Sequence, residues 1–490
     1  MIKKYIKQKF TKKLMVIFSL CFVTLGSFDL RAEVLTIERA LLVALDANFD
    51  IEVLNLELKK AEQSKNKEMA KYDPQISFGF NVLNSTPEES LYGLTPMNEN
   101  LKQEASLSKK MHWGSLFKFS YMFDSNGYGN SNLDHYSSEW SVEMEQSLTR
   151  NFFGKTDKYR ESVVQKKLDS LTWETQRRIV LVTQQVLNVF FEMYFYAHRV
   201  RNQKAIILVA KDFLKLNQDK MEYGIVEETD VLAARVNVEL KQVDLRGYQN
   251  DFDKAFLKLK DLLNDKDITI DFLKEPLLKK VDKTLEQLQE QALKKRWDLK
   301  ALVQEKKAAE FQVLLNEKDR QPALDFVASI KPLNREFHFR DTLKDALEAK
   351  HASFFAGIKM AHSWGSTFAN ASLKQSKVDV QKWATLESEK RQTISREVAI
   401  AYKNFQTAKD QGQSLQNVVN LQKKKMDQEI KKYKTGRSSA KVIIDYQDDL
   451  LRVQNLLLAK KFERQLAWVS LNISTNDLFE ALDLDKTVAL

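Results

Sequence analysis

From Ile179 to Met221 apolar residues step along the chain at intervals of three and four: Ile179, Val182, Val186, Val189, Met193, Tyr196, Val200, Ile207, Ala210, Leu214 and Met221. That alternation is the seven-residue repeat of a coiled coil. No glycine or proline interrupts the chain between Gly154 and Gly224, so the predicted helix is roughly 100 Å long at about 1.5 Å per residue. The repeat resumes after Gly224 through Val231, Ala234, Val238, Leu245, Tyr248, Phe252, Ala255, Leu259 and Leu262. Residues 153–263 therefore read as one long helical hairpin folded at Gly224. A second, from about Lys390 to Ser474, folds at Gly436.

A different period occupies the segments before the hairpins. Thr36 to Lys71 has helical spacing and stops at Asp73-Pro74. Strict alternation follows, with Ile76, Phe78, Phe80 and Val82 on one side and Ser77, Gly79 and Asn81 on the other, which predicts a strand with one apolar face. Residues 107–123 read as a β-hairpin turning near Trp113-Gly114, its second arm carrying Phe117, Phe119, Tyr121 and Phe123. A further strand places Trp140, Val142 and Met144 opposite Ser141, Glu143 and Glu145.

The plan then repeats. At an offset of 248, Thr36, Glu38, Ala44, Leu45, Asp50, Leu54, Ala61, Glu62, Pro74 and Phe78 meet Thr284, Glu286, Ala292, Leu293, Asp298, Leu302, Ala309, Glu310, Pro322 and Phe326. At an offset of 212, Phe190 meets Tyr402 and Gly224 meets Gly436. The smaller offset means that the second copy lacks the segment around 107–123. The chain divides into a signal segment 1–32, a first repeat 33–264, a linker 265–283, a second repeat 284–475 and a C-terminal tail 476–490. In each half the strands lie at the same end of the long helices, so all strands gather at one end of a rod.

The bulk composition fits this plan. Only 13 Gly and 6 Pro in 490 residues argue for long uninterrupted helices. The net charge of +10 is largely local, because six of those charges belong to residues 1–32 and leave +4 on the rest. This excludes the clustered basic face of a nucleic-acid binder. Six lysines precede an apolar run from Leu14 to Leu25, and Ala32 ends a cleavage motif, which is the pattern of a secretory signal; an uncleaved anchor is the alternative. Cys21, the only cysteine, lies inside that run, so cleavage leaves no disulfide or thiolate. No later stretch approaches 18 consecutive apolar residues, and a spanning helix is not expected.

Amphipathic strands need closed edges. One chain offers about four to six, fewer than the usual minimum of about eight for a membrane barrel, so several chains must pool them. Phe78, Phe80, Phe117, Phe119, Tyr121, Phe123 and Trp140 are then the lipid-facing or girdle residues, with Ser, Asn, Lys and Glu lining the lumen. A small soluble sheet packed on helices is the alternative. The fold class expected from the residues is mainly α with membrane β: long coiled-coil hairpins, a composite membrane β-barrel and internal duplication.

Motifs for chemistry are missing. His112, His135, His198, His338, His351 and His362 form no HxxxH or HExxH pair, and there is no GxSxG or phosphate-binding loop. Neither an enzyme nor a metal or cofactor site is expected.

Four local features resemble the TolC-type outer membrane efflux protein family. They are Leu35-Thr36-Ile37-Glu38-Arg39-Ala40 through Asn48; Tyr72-Asp73-Pro74; Glu145-Gln146-Ser147-Leu148 through Phe153-Gly154; and Tyr223-Gly224 through Thr229-Asp230-Val231-Leu232, matched by Tyr433 to Gly436. The resemblance covers nearly all of the chain beyond the signal. It implies that the hairpins form a periplasmic α-barrel tunnel and that the β-barrel is a trimeric one of the outer membrane, so that the chain is a homotrimer. It also implies a periplasmic adaptor protein meeting the turns at Gly224, Gly436, Tyr223 and Tyr433, and an inner-membrane transporter. The function implied is a passive exit duct for efflux or type I secretion. Ser147 and Ser363 stand where family members usually have proline. Of two tip positions that are acidic in well-known members, Val442 and Asp445 occupy the equivalents here, with Asp230 at the first-repeat equivalent of Val442. Asp445 and Asp230 are the pore candidates, and solvated helix positions are the alternative for both. A non-pore periplasmic coiled-coil adaptor or envelope tether remains the competing reading.

Overall fold

The computed structural model describes residues 36–84, 99–127, 135–265, 279–336 and 352–482. The signal segment 1–32 and parts of the linker and tail lie outside them. The chain opens with α1 (Ile37–Ala47) and α2 (Phe49–Met69), then four strands, β1 (Gln75–Asn84), β2 (Glu99–Lys110), β3 (Ser115–Gly127) and β4 (His135–Ser147). The first long hairpin is α3 (Lys155–Glu222) with α4 (Glu228–Leu263). The second half repeats this with α5 (Leu285–Lys295), α6 (Trp297–Asp319), β5 (Ala323–Glu336), β6 (Ala352–Ala361), α7 (Thr367–Lys434), α8 (Ala440–Ser474) and a short α9 (Leu478–Ala481).

The two long helices α3 and α7 are each 68 residues and start at the 212-residue offset. The second hairpin therefore begins at Thr367, well before the expected Lys390. Leu373 and Ser376 are buried in that extra stretch, so packing against α6 holds residues 367–389 in the same helix. Within α3 one 18-residue window reaches a mean hydropathy of 1.2, more apolar than the sequence reading allowed, but half of it is buried against protein. That surface is helix seam: Val186, Leu187, Phe190, Phe191 and Met193 are at most 1 % exposed.

The predicted helix from Thr36 to Lys71 is broken. Asn48 leaves helical geometry and accepts from the backbone N–H groups of Asp50 at 2.9 Å and Ile51 at 3.3 Å, satisfying donors that a helix start leaves unpaired. Its Nδ2 donates to the carbonyl of Leu262 at 2.7 Å, fastening the break to the end of α4. The second repeat breaks at the equivalent Arg296, which is buried and paired with Asp298 and Glu397.

The main core lies partway along the rod. There α1, α5, α9 and the sheet-proximal parts of α4 and α8 wrap around α3 and α7, burying Leu41, Phe190, Phe191, Leu259, Leu263, Ile394, Val398, Trp468 and Leu471. Leu478, Phe479 and Leu482 belong to this core, so the start of the expected tail packs with the second repeat. Between core and sheet, neighbouring helices run in the order α2, α3, α6, α7; towards the other end the order is α4, α3, α8, α7.

Candidate functional site

The six strands form a single antiparallel sheet in chain order, β1 to β6, four from the first repeat and two from the second. Register converts the alternation of each strand into one continuous surface. Ile76, Leu107, Phe119, Val142, Ile330 and Phe354 are successive partners across all six strands. Phe78, Ala105, Tyr121 and Trp140 make the next row, and Phe117, Met144, Ala328 and Ala356 another. The opposite face carries Ser77, Ser106, Ser120 and Ser141 in one row, with hydroxyl contacts of 2.7 Å between Ser77 and Ser106 and 2.6 Å between Ser120 and Ser141. Lys118 pairs with Glu104 at 3.6 Å and Lys331 with Glu143 at 2.9 Å on that face. Apolar exceptions on it include Leu83, Leu116, Met122, Val327 and Phe355.

The apolar face is uncovered. Phe78 is 82 % exposed, Phe354 72 %, Ile358 67 % and Phe80 66 %. No helix packs on it among the described residues. Phe119 is exposed, while Phe117, Tyr121 and Trp140 are half-buried by neighbours on the same face. Phe123 departs from expectation: it lies on the apolar face but is only 6 % exposed, because the Tyr136 ring stacks over it at 6.2 Å. The strands are 10 to 14 residues long, enough to cross a band about 25 Å tall when tilted by about 40°.

Among the described residues both sheet edges are open: β1 pairs only with β2, and β6 only with β5. Even strand number makes β1 and β6 antiparallel, so β6 of one copy can continue the ladder with β1 of the next. The helical flanks beneath are also unpartnered. On the β1 side, α2 exposes Phe49, Val53 and Leu56, and α4 exposes Leu232, Val236, Leu240 and Val243, each set at helical spacing. On the β6 side, exposed apolar positions include Trp364, Phe368, Val378, Ile400 and Leu421.

The junction of sheet and helices is interlocked in the first repeat. The buried Asp157 carboxylate accepts from Lys110 at the end of β2, at 2.8 Å, and from Asn151 Nδ2 at 2.7 Å, with Lys71 3.4 Å away. Burial pushes the Asp157 pKa up, but these hydrogen bonds and charges outweigh it and hold the carboxyl below its ordinary range. His112 lies against Tyr72, ring centroids 4.0 Å apart, and the Tyr72 hydroxyl donates to Glu161 at 2.6 Å. Gly154, at φ +74°, carries the carbonyl of His112 where a Cβ would stand. The Ser147 hydroxyl accepts the N–H of Asn151 at 3.3 Å, and the Ser363 carbonyl accepts that of Ser366 at 3.1 Å.

The opposite end holds both hairpin turns. Gly224 and Gly436 adopt φ of +68° and +73° and close paired turns of the same kind, with the N–H groups of Ile225 and Arg437 reaching the carbonyls of Lys220 and Lys432. Phe213 and Ala234 of the first hairpin pack with Tyr433, Ala440 and Ile443 of the second. Tyr223 is 79 % exposed. Tyr433, expected among the adaptor-facing turn residues, is instead buried within the protomer, its ring tilted against that of Phe213 at 5.2 Å, with its hydroxyl donating to Asn217 Oδ1 and Lys220 Nζ 2.7 Å from its carbonyl. Burial, with the charge of Asp230 nearby, pushes its pKa up, so the hydroxyl keeps its proton and donates. Asn237 with Gln447 at 3.1 Å and Lys241 with Asp448 at 2.5 Å continue the cross-links. Asp230 is half-buried in the first turn of α4, and Asp445 is exposed on α8, so the fold brings both acids to this end. Sequence reasoning found neither the Tyr433–Asn217 pair nor the Asp157 cluster; Asn217 and Tyr433 are 216 residues apart, and no local pattern marks them. Among the described residues no cluster of His, Cys, Asp or Glu could hold a metal.

No protein-family model and no curated protein sequence matches the chain. Solved structures do. CusC, known from crystal structures addressing folding and transmembrane channel formation, superposes with a TM-score of 0.68 at 14% identity, over 93% of this chain and 95% of CusC. The outer membrane protein VceC of Vibrio cholerae gives 0.67 at 13% identity, over 90% of this chain and 95% of its own. The CmeC outer membrane channel of Campylobacter jejuni gives 0.65 at 12% identity, over 92% and 90%. The chain has the fold of these proteins along nearly its whole length.

Proposed function

We propose that the chain is one third of an outer-membrane exit duct that passively conducts substrates from an inner-membrane transporter, through a periplasmic adaptor's docking at the turns, across periplasm and outer membrane. The observation that carries this reading is the six-stranded sheet with one uncovered apolar face and two open edges. Such a surface is unstable in water and at home in lipid once its edges close. The occupant of each edge is a second copy of the chain: β6, Trp364, Phe368 and the α7 stripe of one copy meet β1 and the stripes of α2 and α4 on the next. This head-to-tail contact is heterologous and closes as a ring. The polar face, with its serine row and ion pairs, then lines the lumen.

The fold shared with VceC and CmeC supports the same location and role. An adaptor or tether without a pore is disfavoured, because it has no use for an uncovered apolar sheet. Fractionation followed by unheated gel electrophoresis tests the reading. The expected product is a detergent-resistant trimer in the outer-membrane fraction; recovery as a soluble periplasmic monomer would reject it.

A further inference from the structure

The protomer is a strip of nearly constant width. Beneath the sheet it is four helices wide, α2, α3, α6 and α7, or about 36 Å at roughly 9 Å between axes. The sheet is six strands wide. Strands about 4.8 Å apart and tilted by about 40° each occupy roughly 6 Å of circumference, again about 37 Å in all. Four strands would span only about 25 Å, and the wall would have to taper at the membrane.

The β2–β3 hairpin makes up the difference. Among the described residues the second repeat has no equivalent, since β5 and β6 pair directly with each other, as β1 and β4 could without it. Nor is the hairpin a loose appendage. Its turn carries His112 against Tyr72, its Lys110 reaches the buried Asp157, and the backbone at Gly154 leaves room for the His112 carbonyl.

We infer that this hairpin widens the membrane mouth to the bore of the helical tunnel. Three copies close eighteen strands into a barrel about 36 Å across between backbones, against about 24 Å for twelve. With side chains lining the wall the free bore is roughly 25 Å. The lumen face bears both signs of charge in neighbouring pairs, Lys118 with Glu104 and Lys331 with Glu143. The membrane segment therefore selects by size rather than by charge, and admits polypeptides about 20 Å across. This rests on the three-chain duct proposed above.

The test images the detergent-purified, full-length assembly end-on by electron microscopy, with native mass spectrometry counting the chains. Three chains and a barrel ring about 36 Å across are expected. A variant lacking residues 99–127, in which β1 and β4 remain antiparallel, should shrink the ring to about 24 Å. It should also exclude a neutral polymer of about 10 Å hydrodynamic radius that enters the parent from the barrel side. Three chains around a ring of about 24 Å in the parent would overturn the wide mouth and leave the duct standing. A chain count other than three would overturn the duct reading itself. If the shortened variant does not assemble, the width of the parent ring decides alone.

Discussion

The two ends of the rod are built on opposite terms. Where the first repeat's strands turn into helices, glycines are required by close contact: a Cβ on Gly154 would stand 2.2 Å from the His112 carbonyl oxygen, and one on Gly114 2.8 Å from that of Asn151. At the far end Gly224 and Gly436 share the same left-handed backbone, yet a Cβ on either would meet nothing within 4 Å. One end is locked by packing and a buried carboxylate. The other is held by side-chain struts between two hairpins, with open space around the turns.

The largest effect expected to sharpen this contrast is Gly154→Ala. Left-handed strain of about 1–3 kcal/mol adds to a backbone clash that cannot relax, so the variant should fail to accumulate as a heat-labile, detergent-resistant oligomer. Gly224→Ala carries the strain alone, about 1 kcal/mol, and should accumulate normally on the same gels.

Next comes Asp157→Asn. Removing the carboxylate takes the ion pair from Lys110, while Lys71 keeps Glu68 at 2.8 Å and Glu161 at 3.4 Å; the loss is about 2 kcal/mol, the worth of a hydrogen bond to a charged group, read as a lowered thermal midpoint of the purified assembly. The sign of its pH dependence follows from the depressed pKa. The stabilisation is fully present above the unfolded value of about 3.9 and is lost as pH falls through the lower folded value. The parent should weaken at the junction only below about pH 4, and the variant should lack that step. An unchanged acid profile would remove Asp157 from the lock.

Tyr433→Phe tests the struts. It deletes one buried hydrogen bond to Asn217, worth about 1 kcal/mol, with little change in melting but a higher open probability in planar bilayers. Asp445→Asn should have the smallest effect: no change in stability, and a weakened cation preference in the same recordings. An unchanged preference would place Asp445 outside the conducting path.

Much of the architecture was legible because periodicity is a local property. The three-four spacing from Ile179 to Met221 and the alternation from Ile76 to Val82 report which face of an element will be buried or apolar before anything packs. The break at Asn48 had a local signal too, an asparagine two residues before Asp50 at a helix start, but the apolar spacing on either side concealed it. The equivalent break at Arg296 had none, since an arginine becomes a buried joint only where Asp298 and Glu397 surround it. Tyr433 illustrates the limit most directly: a tyrosine near a turn reads as exposed, and only the neighbouring hairpin shows that it is a strut.

By itself the sequence determined the two long hairpins, their turns at Gly224 and Gly436, the duplicated plan and the amphipathic character of the strands. Those properties depend on residue type at short spacing. Tertiary structure alone decided that six strands share one register and one apolar face, that the β2–β3 hairpin is wedged against Tyr72, Asp157 and Gly154, and that the flanks are left bare. Each of these depends on contacts between residues distant in sequence, whose free energy exists only once the chain has brought them within a few ångströms.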